Sequence, residues 1–249
     1  MKKYFPLFWV FYLLCAFSAH AGEGRYTIPL TGGGWSLWLD KEASWQNDRL
    51  YLPHEITDLS LLPVNVPTGG WQTLSHNPDA VPVEVPGTVE EYLTVTDNPR
   101  PENFRGVSWW YRKITIPADQ QKKRFIIYFE SVRMRAEVYL DGKLVAYDLI
   151  GETPFHVDIT DEAKPGKEQL LAIRVTNPGG NFHWQDFDIM KWGEYNIPPS
   201  RSFTGIIGRV KLESVNPVFI SDIYMQNTPE LTKVNAILSF TNETSSSVK

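Results

Sequence analysis

Ala136-Glu-Val-Tyr-Leu-Asp-Gly-Lys-Leu-Val-Ala-Tyr147 decides the fold. Two runs of alternating apolar residues flank Asp141-Gly142. A two-residue type I′ turn needs positive φ at both central positions, and Asp-Gly is among the pairs that tolerate this best. The stretch is therefore predicted to be a β-hairpin. Upstream, Ser108-Trp-Trp-Tyr-Arg-Lys-Ile-Thr-Ile-Pro117 reads as a strand ended by its proline. Arg124-Phe-Ile-Ile-Tyr-Phe-Glu130 is another, with Phe125, Ile127 and Phe129 on one face and Ile126 and Tyr128 on the other. Downstream, Phe155, Val157 and Ile159 alternate with His156 and Asp158, and Leu171, Ile173 and Val175 alternate with Ala172 and Arg174. Short strands at regular spacing, half-buried by a period of two, imply an all-β sandwich. On this pattern His156 is a surface residue.

The same reading extends to both sides. Gly34-Trp-Ser-Leu-Trp-Leu-Asp40 is a strand with Trp35, Leu37 and Leu39 on one face, and Val81-Pro-Val-Glu-Val85 an edge strand, since proline cannot donate to a ladder. Eight prolines between Pro53 and Pro101 exclude long helices from the front third. Gly208-Arg-Val-Lys-Leu-Glu-Ser-Val215 closes the sandwich with Val210 and Leu212 inward. After Pro217 a new pair of strands begins, Val218 to Gln226 and Lys233 to Thr244. The 33 residues from 217 to 249 are too few for an immunoglobulin-like sandwich of roughly 100 residues. They read as the first strands of an incomplete one.

Composition narrows the function classes. A chain of 249 residues with 42% hydrophobic content can bury a proper core, and a net charge of -5 gives no footprint for nucleic acid or for an anionic membrane. At the N-terminus, Lys2 and Lys3 precede an apolar run from Phe5 to Phe17. Ser18-Ala-His-Ala21 then puts small residues where a signal peptidase needs them. Residues 1–21 are predicted to be a signal peptide, sending a periplasmic or secreted protein out with no membrane span left after cleavage. The single cysteine, Cys15, would leave with it, which removes disulfides, thiolate metal sites and cysteine nucleophiles.

One stretch fits no period. Asn177-Pro-Gly-Gly-Asn-Phe-His-Trp-Gln-Asp-Phe-Asp188 and the residues on to Gly208 carry three phenylalanines, two tryptophans and a tyrosine, with Asp186, Asp188 and Glu194 among them. Loops this long in compact domains are usually functional or disordered, and aromatic content argues against disorder. It reads as a recognition loop.

Taken in order, Val107-Ser-Trp-Trp-Tyr-Arg-Lys-Ile-Thr-Ile-Pro117, Glu137-Val-Tyr-Leu-Asp-Gly-Lys-Leu-Val145, Thr153-Pro-Phe-His-Val-Asp-Ile-Thr-Asp161, Leu171-Ala-Ile-Arg-Val-Thr-Asn177 and Ser202-Phe-Thr-Gly-Ile-Ile-Gly-Arg-Val-Lys-Leu212 resemble the N-terminal region of glycoside hydrolase family 2, the β-galactosidase, β-glucuronidase and β-mannosidase group. The resemblance implies a jelly-roll sugar-binding domain over 22–216, followed by the start of an immunoglobulin-like domain over 217–249. In that family a (β/α)₈ barrel of about 250 residues follows and holds both catalytic carboxylates. No catalytic residue is therefore assigned here, and the chain alone is expected to be inactive. The expected partners are a carbohydrate, the terminal sugar of a β-glycoside, and the catalytic barrel of the same polypeptide.

The resemblance also implies an aspartate on the loop after the last jelly-roll strand, at the rim of the active site. Asp186 matches it best and Asp188 second. A carboxylate suits the role because it accepts charge-assisted hydrogen bonds from neighbouring hydroxyls. Asn98 lies near the position of a second rim residue, an asparagine. Trp184 and Trp192 offer aromatic planes for a sugar face, and His183 a hydrogen-bonding ring. Against each stands a structural role: Asp186 ordering the loop backbone, the tryptophans pinning the loop, the histidine packed.

Other chemistries find no support. There is no Gly-x-Ser-x-Gly elbow, His54-Glu55 lacks the second histidine of a zinc helix, and Gly32-Gly-Gly34 is not followed by the Lys-Ser or Lys-Thr of a phosphate loop. No metal or cofactor is assigned. Two further readings remain: a stand-alone, non-catalytic carbohydrate-binding module, and a structural spacer.

Overall fold

The computed structural model describes residues 24–44, 58–93, 104, 106–149, 151, 153–177 and 203–247. Its strands are β1 (Arg25–Pro29), β2 (Gly32–Asp40), β3 (Val81–Val85), β4 (Gly87–Thr88), β5 (Gly106–Thr115), β6 (Arg124–Phe129), β7 (Val132–Arg133), β8 (Arg135–Leu140), β9 (Lys143–Asp148), β10 (Phe155–Asp158), β11 (Glu168–Asn177), β12 (Gly205–Ile206), β13 (Val210–Val215), β14 (Val218–Asn227) and β15 (Val234–Asn242). The one α-helical turn among the described residues, α1 (Val89–Tyr92), is capped by Thr88, whose hydroxyl accepts from the Glu91 amide at 3.2 Å.

Two antiparallel sheets face each other, a six-stranded one in the order β3-β2-β5-β11-β8-β9 and a four-stranded one in the order β1-β13-β6-β10. Between them lie Trp35, Leu37, Trp110, Val138, Ile173 and Val175 from the first, and Phe125, Ile127, Phe129, Val157 and Leu212 from the second. The all-β sandwich expected from the alternation is thus the fold observed. Asp141 and Gly142 take φ of 48° and 84°, as a type I′ turn demands. Val81 to Val85 is indeed an edge strand, and His156 is exposed. β1 was not legible, because only Ile28 of its five residues is even partly buried.

The half-buried expectation holds for β6 and β10 but fails for β13, where Glu213 and Ser214 are buried too, and for the centre of the six-stranded sheet. Its outer face is covered by residues 58–80, where Leu59, Leu62, Trp71, Leu74 and Ala80 pack on Val107, Trp109, Tyr111, Tyr139 and Ala172. Trp71 meets Trp109 edge-on with ring centroids 5.6 Å apart, and Tyr139 at 5.0 Å. Asp40 ties this cover down, its Oδ2 accepting from Trp109 Nε1 at 3.1 Å and from the Thr68 amide at 2.9 Å. β5 and β11 are consequently buried on both faces.

On the opposite sheet, Arg209 donates to Glu130 through both its side chain and its amide and holds the carboxyl down to about 2. A depressed folded value means stability present above the unfolded pKa and lost as pH falls through the folded one. A carboxyl-detected NMR titration should find Glu130 ionised down to about pH 2, and Arg209→Gln should return it toward 4. β14 and β15 form a separate ribbon joined to the sandwich by polar contacts. Arg25 Nη2 donates to the Ile220 carbonyl at 3.1 Å, and Arg124 pairs with both Asp158 and Glu243.

Candidate functional site

Asn98, His183, Trp184, Asp186 and Asp188, together with Trp192, lie outside the described residues. What the structure does place is their anchorage. β11 ends at Asn177 opposite Gly106, the first residue of β5. Asn177 is buried, and its Nδ2 donates to the Phe104 carbonyl at 2.7 Å. Phe104 and Asn177, which follow segment 94–103 and precede segment 178–202 in the chain, are therefore stapled together. Three residues after segment 178–202, Gly205 lies between Thr88 and Arg133 in a small sheet, β4-β12-β7. Thr204 is fully buried: its carbonyl accepts from the Val89 amide at 2.8 Å, its hydroxyl donates to the Arg133 carbonyl at 2.9 Å, and its amide donates to Glu90 Oε2 at 3.2 Å. Phe203 carries the Arg133 guanidinium 4.5 Å from its ring centre.

Local sequence explains this convergence. Gly205 has no side chain because there is no room for one; a Cβ there would stand 2.3 Å from the Gly87 carbonyl oxygen. Thr88 both pairs with Gly205 and caps α1, so one residue ends a strand and starts a helical turn. That turn presents Glu90 to the Thr204 amide.

Next to the anchorage lies a buried charge network that the alternation pattern did not flag. Glu137 and Arg174 are register partners on β8 and β11, and both are buried. Arg174 Nη1 donates to Glu137 Oε1 at 3.2 Å and to Thr176 Oγ1 at 3.0 Å, while its Nη2 donates to the Ser44 carbonyl at 3.0 Å. Arg135 pairs with the same Glu137 oxygen. Asn65 Nδ2 reaches both carboxylate oxygens at 3.0 Å, and Tyr139 Oη donates to Oε2 at 2.8 Å while accepting from the Asn65 amide. Burial, helped by the charge on Glu137, pushes the Tyr139 hydroxyl well above its ordinary value, so it stays a donor. Glu137 and Arg174 sit at positions of central strands where a solvent-facing charge needs an uncovered sheet, and the residues 58–80 remove that solvent.

A cavity of about 830 Å³ lies elsewhere. It is lined by Leu62, Lys143, Leu144, Asp158 and Glu162 among others, beside the Asp141-Gly142 turn. Leu170 hydrogen-bonds that turn, seven residues before Asn177, about 23 Å along β11 from the anchorage. Of the charged residues lining it, Arg124 pairs with Asp158 and Lys143 with Glu162. Among the described residues no group of histidines, cysteines and carboxylates is placed to hold a metal ion.

Comparison with known proteins agrees with this architecture. A β-glucuronidase of Formosa agariphila is 31% identical over 118 residues, covering 47% of this chain and 12% of its own length. A β-galactosidase of Thermoanaerobacter pseudethanolicus is 32% identical over 124 residues, covering 49% of this chain and 16% of its own. A solved β-glucuronidase from Ruminococcus gnavus superposes with a TM-score of 0.61 at 20% identity over 89% of this chain and 35% of that one, so it shares the fold. This chain thus spans a minor part of the relatives it matches. The profile described as "Glycosyl hydrolases family 2, sugar binding domain" matches residues 32–197, well over half of the chain. The chain belongs to glycosyl hydrolase family 2, of which these residues are the sugar binding domain.

Proposed function

We propose that this chain is the sugar-binding region of an exported family 2 glycoside hydrolase, and that segment 178–202 forms one wall of a sugar site whose catalytic floor is a barrel on the same polypeptide. The observation that carries this is the anchorage. Phe104, Asn177 and Thr204, which flank segments 94–103 and 178–202 in the chain, are tied together at one end of the sandwich through Asn177 and Glu90. Asp186 is the residue proposed to meet the sugar hydroxyls, with Asp188, Trp184, His183 and Asn98 around it. The relatives' names make β-glucuronides and β-galactosides the natural probes.

The ribbon supports reading 217–249 as the start of a second, immunoglobulin-like sandwich. Ile223, Tyr224, Met225, Ile237 and Phe240 are exposed on it, and apolar faces of this kind are covered in finished domains. That favours a region of a larger enzyme over a stand-alone module. Residues 1–21 are proposed as the export signal.

Calorimetric titration of the chain freed of residues 1–21 with methyl β-D-glucuronide and methyl β-D-galactoside tests the proposal. Millimolar affinity is expected, weakened about tenfold in Asp186→Ala, the equivalent of ~1.4 kcal/mol. Absence of binding would leave the structural-spacer role, and turnover of nitrophenyl glycosides by the pure chain would refute the assignment of catalysis to the barrel.

A further inference from the structure

We propose that Arg25 and Arg124 form a clasp that sets the direction in which the β14–β15 ribbon leaves the sandwich, that the joint it closes is Asn216-Pro217, and that ionic strength opens it. The inference does not depend on the sugar-site reading. β13 runs between β1 and β6 and ends at Val215, whose register partners are Arg25 on one side and Arg124 on the other. The two arginines thus flank the point of departure. Each reaches a different strand of the ribbon. Arg25 Nη2 donates to the Ile220 carbonyl on β14 at 3.1 Å, while its Nη1 stands 3.6 Å from Glu213 Oε1 on β13. Arg124 pairs with Asp158 on β10 and, through Nη1 at 3.4 Å, with Glu243 just past the end of β15. The Glu243 amide also donates to the Pro217 carbonyl at 3.0 Å, so the returning strand is tied to the joint itself.

Little else holds the ribbon. Among the described residues, neither apolar core cluster contains one beyond Val215. On β14 only Val218 and Phe219 are partly buried, and on β15 only Thr241. A groove of about 480 Å³, lined by Arg25, Asn216, Phe219 and Asp222 among others, lies where an apolar interface would otherwise be. Parts of a chain joined without a large apolar interface move relative to each other by default. Single exposed ion pairs are weak. Two of them suffice here because the joint has few freedoms. Pro217 fixes its own φ and biases Asn216 toward extended backbone, and Lys123 pairs with the Asn216 side chain. A clasp of exposed charges is screened by salt, the Debye length falling from about 8 Å at physiological ionic strength to about 3 Å at 1 M.

Distances between spin labels test this. The chain freed of residues 1–21 has no cysteine, so Thr115→Cys on β5 and Asn235→Cys on β15, both exposed positions, put one label on each part. Double electron–electron resonance should give one narrow distance at about 0.05 M salt and a distribution at least twofold wider at about 1 M. Arg25→Gln combined with Arg124→Gln should be as wide at low salt, and added salt should widen it no further. Near-UV circular dichroism of the Trp71, Trp109 and Tyr139 rings reports whether that variant keeps its sandwich. Should it unfold, the salt comparison, which needs no substitution of either arginine, decides alone. Equal widths at the two salt concentrations, a folded variant as narrow as its parent, or a parent already broad at low salt would each overturn the clasp.

Discussion

Arg174→Ala is expected to destabilise the sandwich by about 3–5 kcal/mol, the range measured when one partner of a buried ion pair is removed. Arg174 is 2% exposed and Glu137 3%, so water cannot replace what is lost. The Thr176 hydroxyl and the Ser44 carbonyl lose a donor in the same step. In a chain of this size the thermal midpoint should fall by roughly 10 °C or more. Arg174→Met separates charge from volume: it fills the space and should be nearly as damaging. Recovery of wild-type stability in Arg174→Met would show that packing, and not the ion network, holds β8 to β11 at this point. Differential scanning calorimetry of the two variants decides the matter.

Gly205→Ala should be the most damaging single-methyl change in the anchorage. The added carbon would stand 2.3 Å from the Gly87 carbonyl oxygen, 2.9 Å from the Thr88 Cα and 3.0 Å from the Trp110 ring. Two of these neighbours are backbone, so the strands must part for the methyl to fit. A cost of about 3 kcal/mol is expected, the upper end for overpacking. Because β12 carries Thr204 into its contacts with Val89 and Glu90, sugar affinity should fall along with stability. Gly33→Ala is the control, since a Cβ there meets nothing within 4 Å. Equal midpoints for the two variants would refute the steric account.

The sandwich was legible in the sequence because its signals are local. Asp141-Gly142 fixes one turn, and alternation in β6, β10 and β13 fixes which side faces the core. What escaped was whatever depends on a distant segment. No pattern in Leu171 to Asn177 says that Arg174 will be roofed by residues 58–80, which are rich in proline and glycine and have no periodicity of their own. Glu90 escaped for a different reason. In Thr88-Val-Glu-Glu91 it looks like an ordinary first-turn acid, and only the return of Thr204, more than a hundred residues later, gives it a partner. The loop from 177 to 208 was recognisable by length and aromatic content, yet such signals identify a segment without giving its geometry. Its candidate residues stand on the resemblance and on the position of its ends.

Burial of β5 and β11 on both faces has a consequence for how this sequence can drift. In β6 or β10 every second position is free to vary, whereas in Val107 to Tyr111 and Leu171 to Asn177 every position is confined, by the inter-sheet core on one side and the cover on the other. A saturation-mutagenesis library should therefore show tolerance with a period of two along β6 and β10 and almost none along these two stretches. They would be the slowest-changing part of the chain, and the part by which distant members of the family remain recognisable to one another.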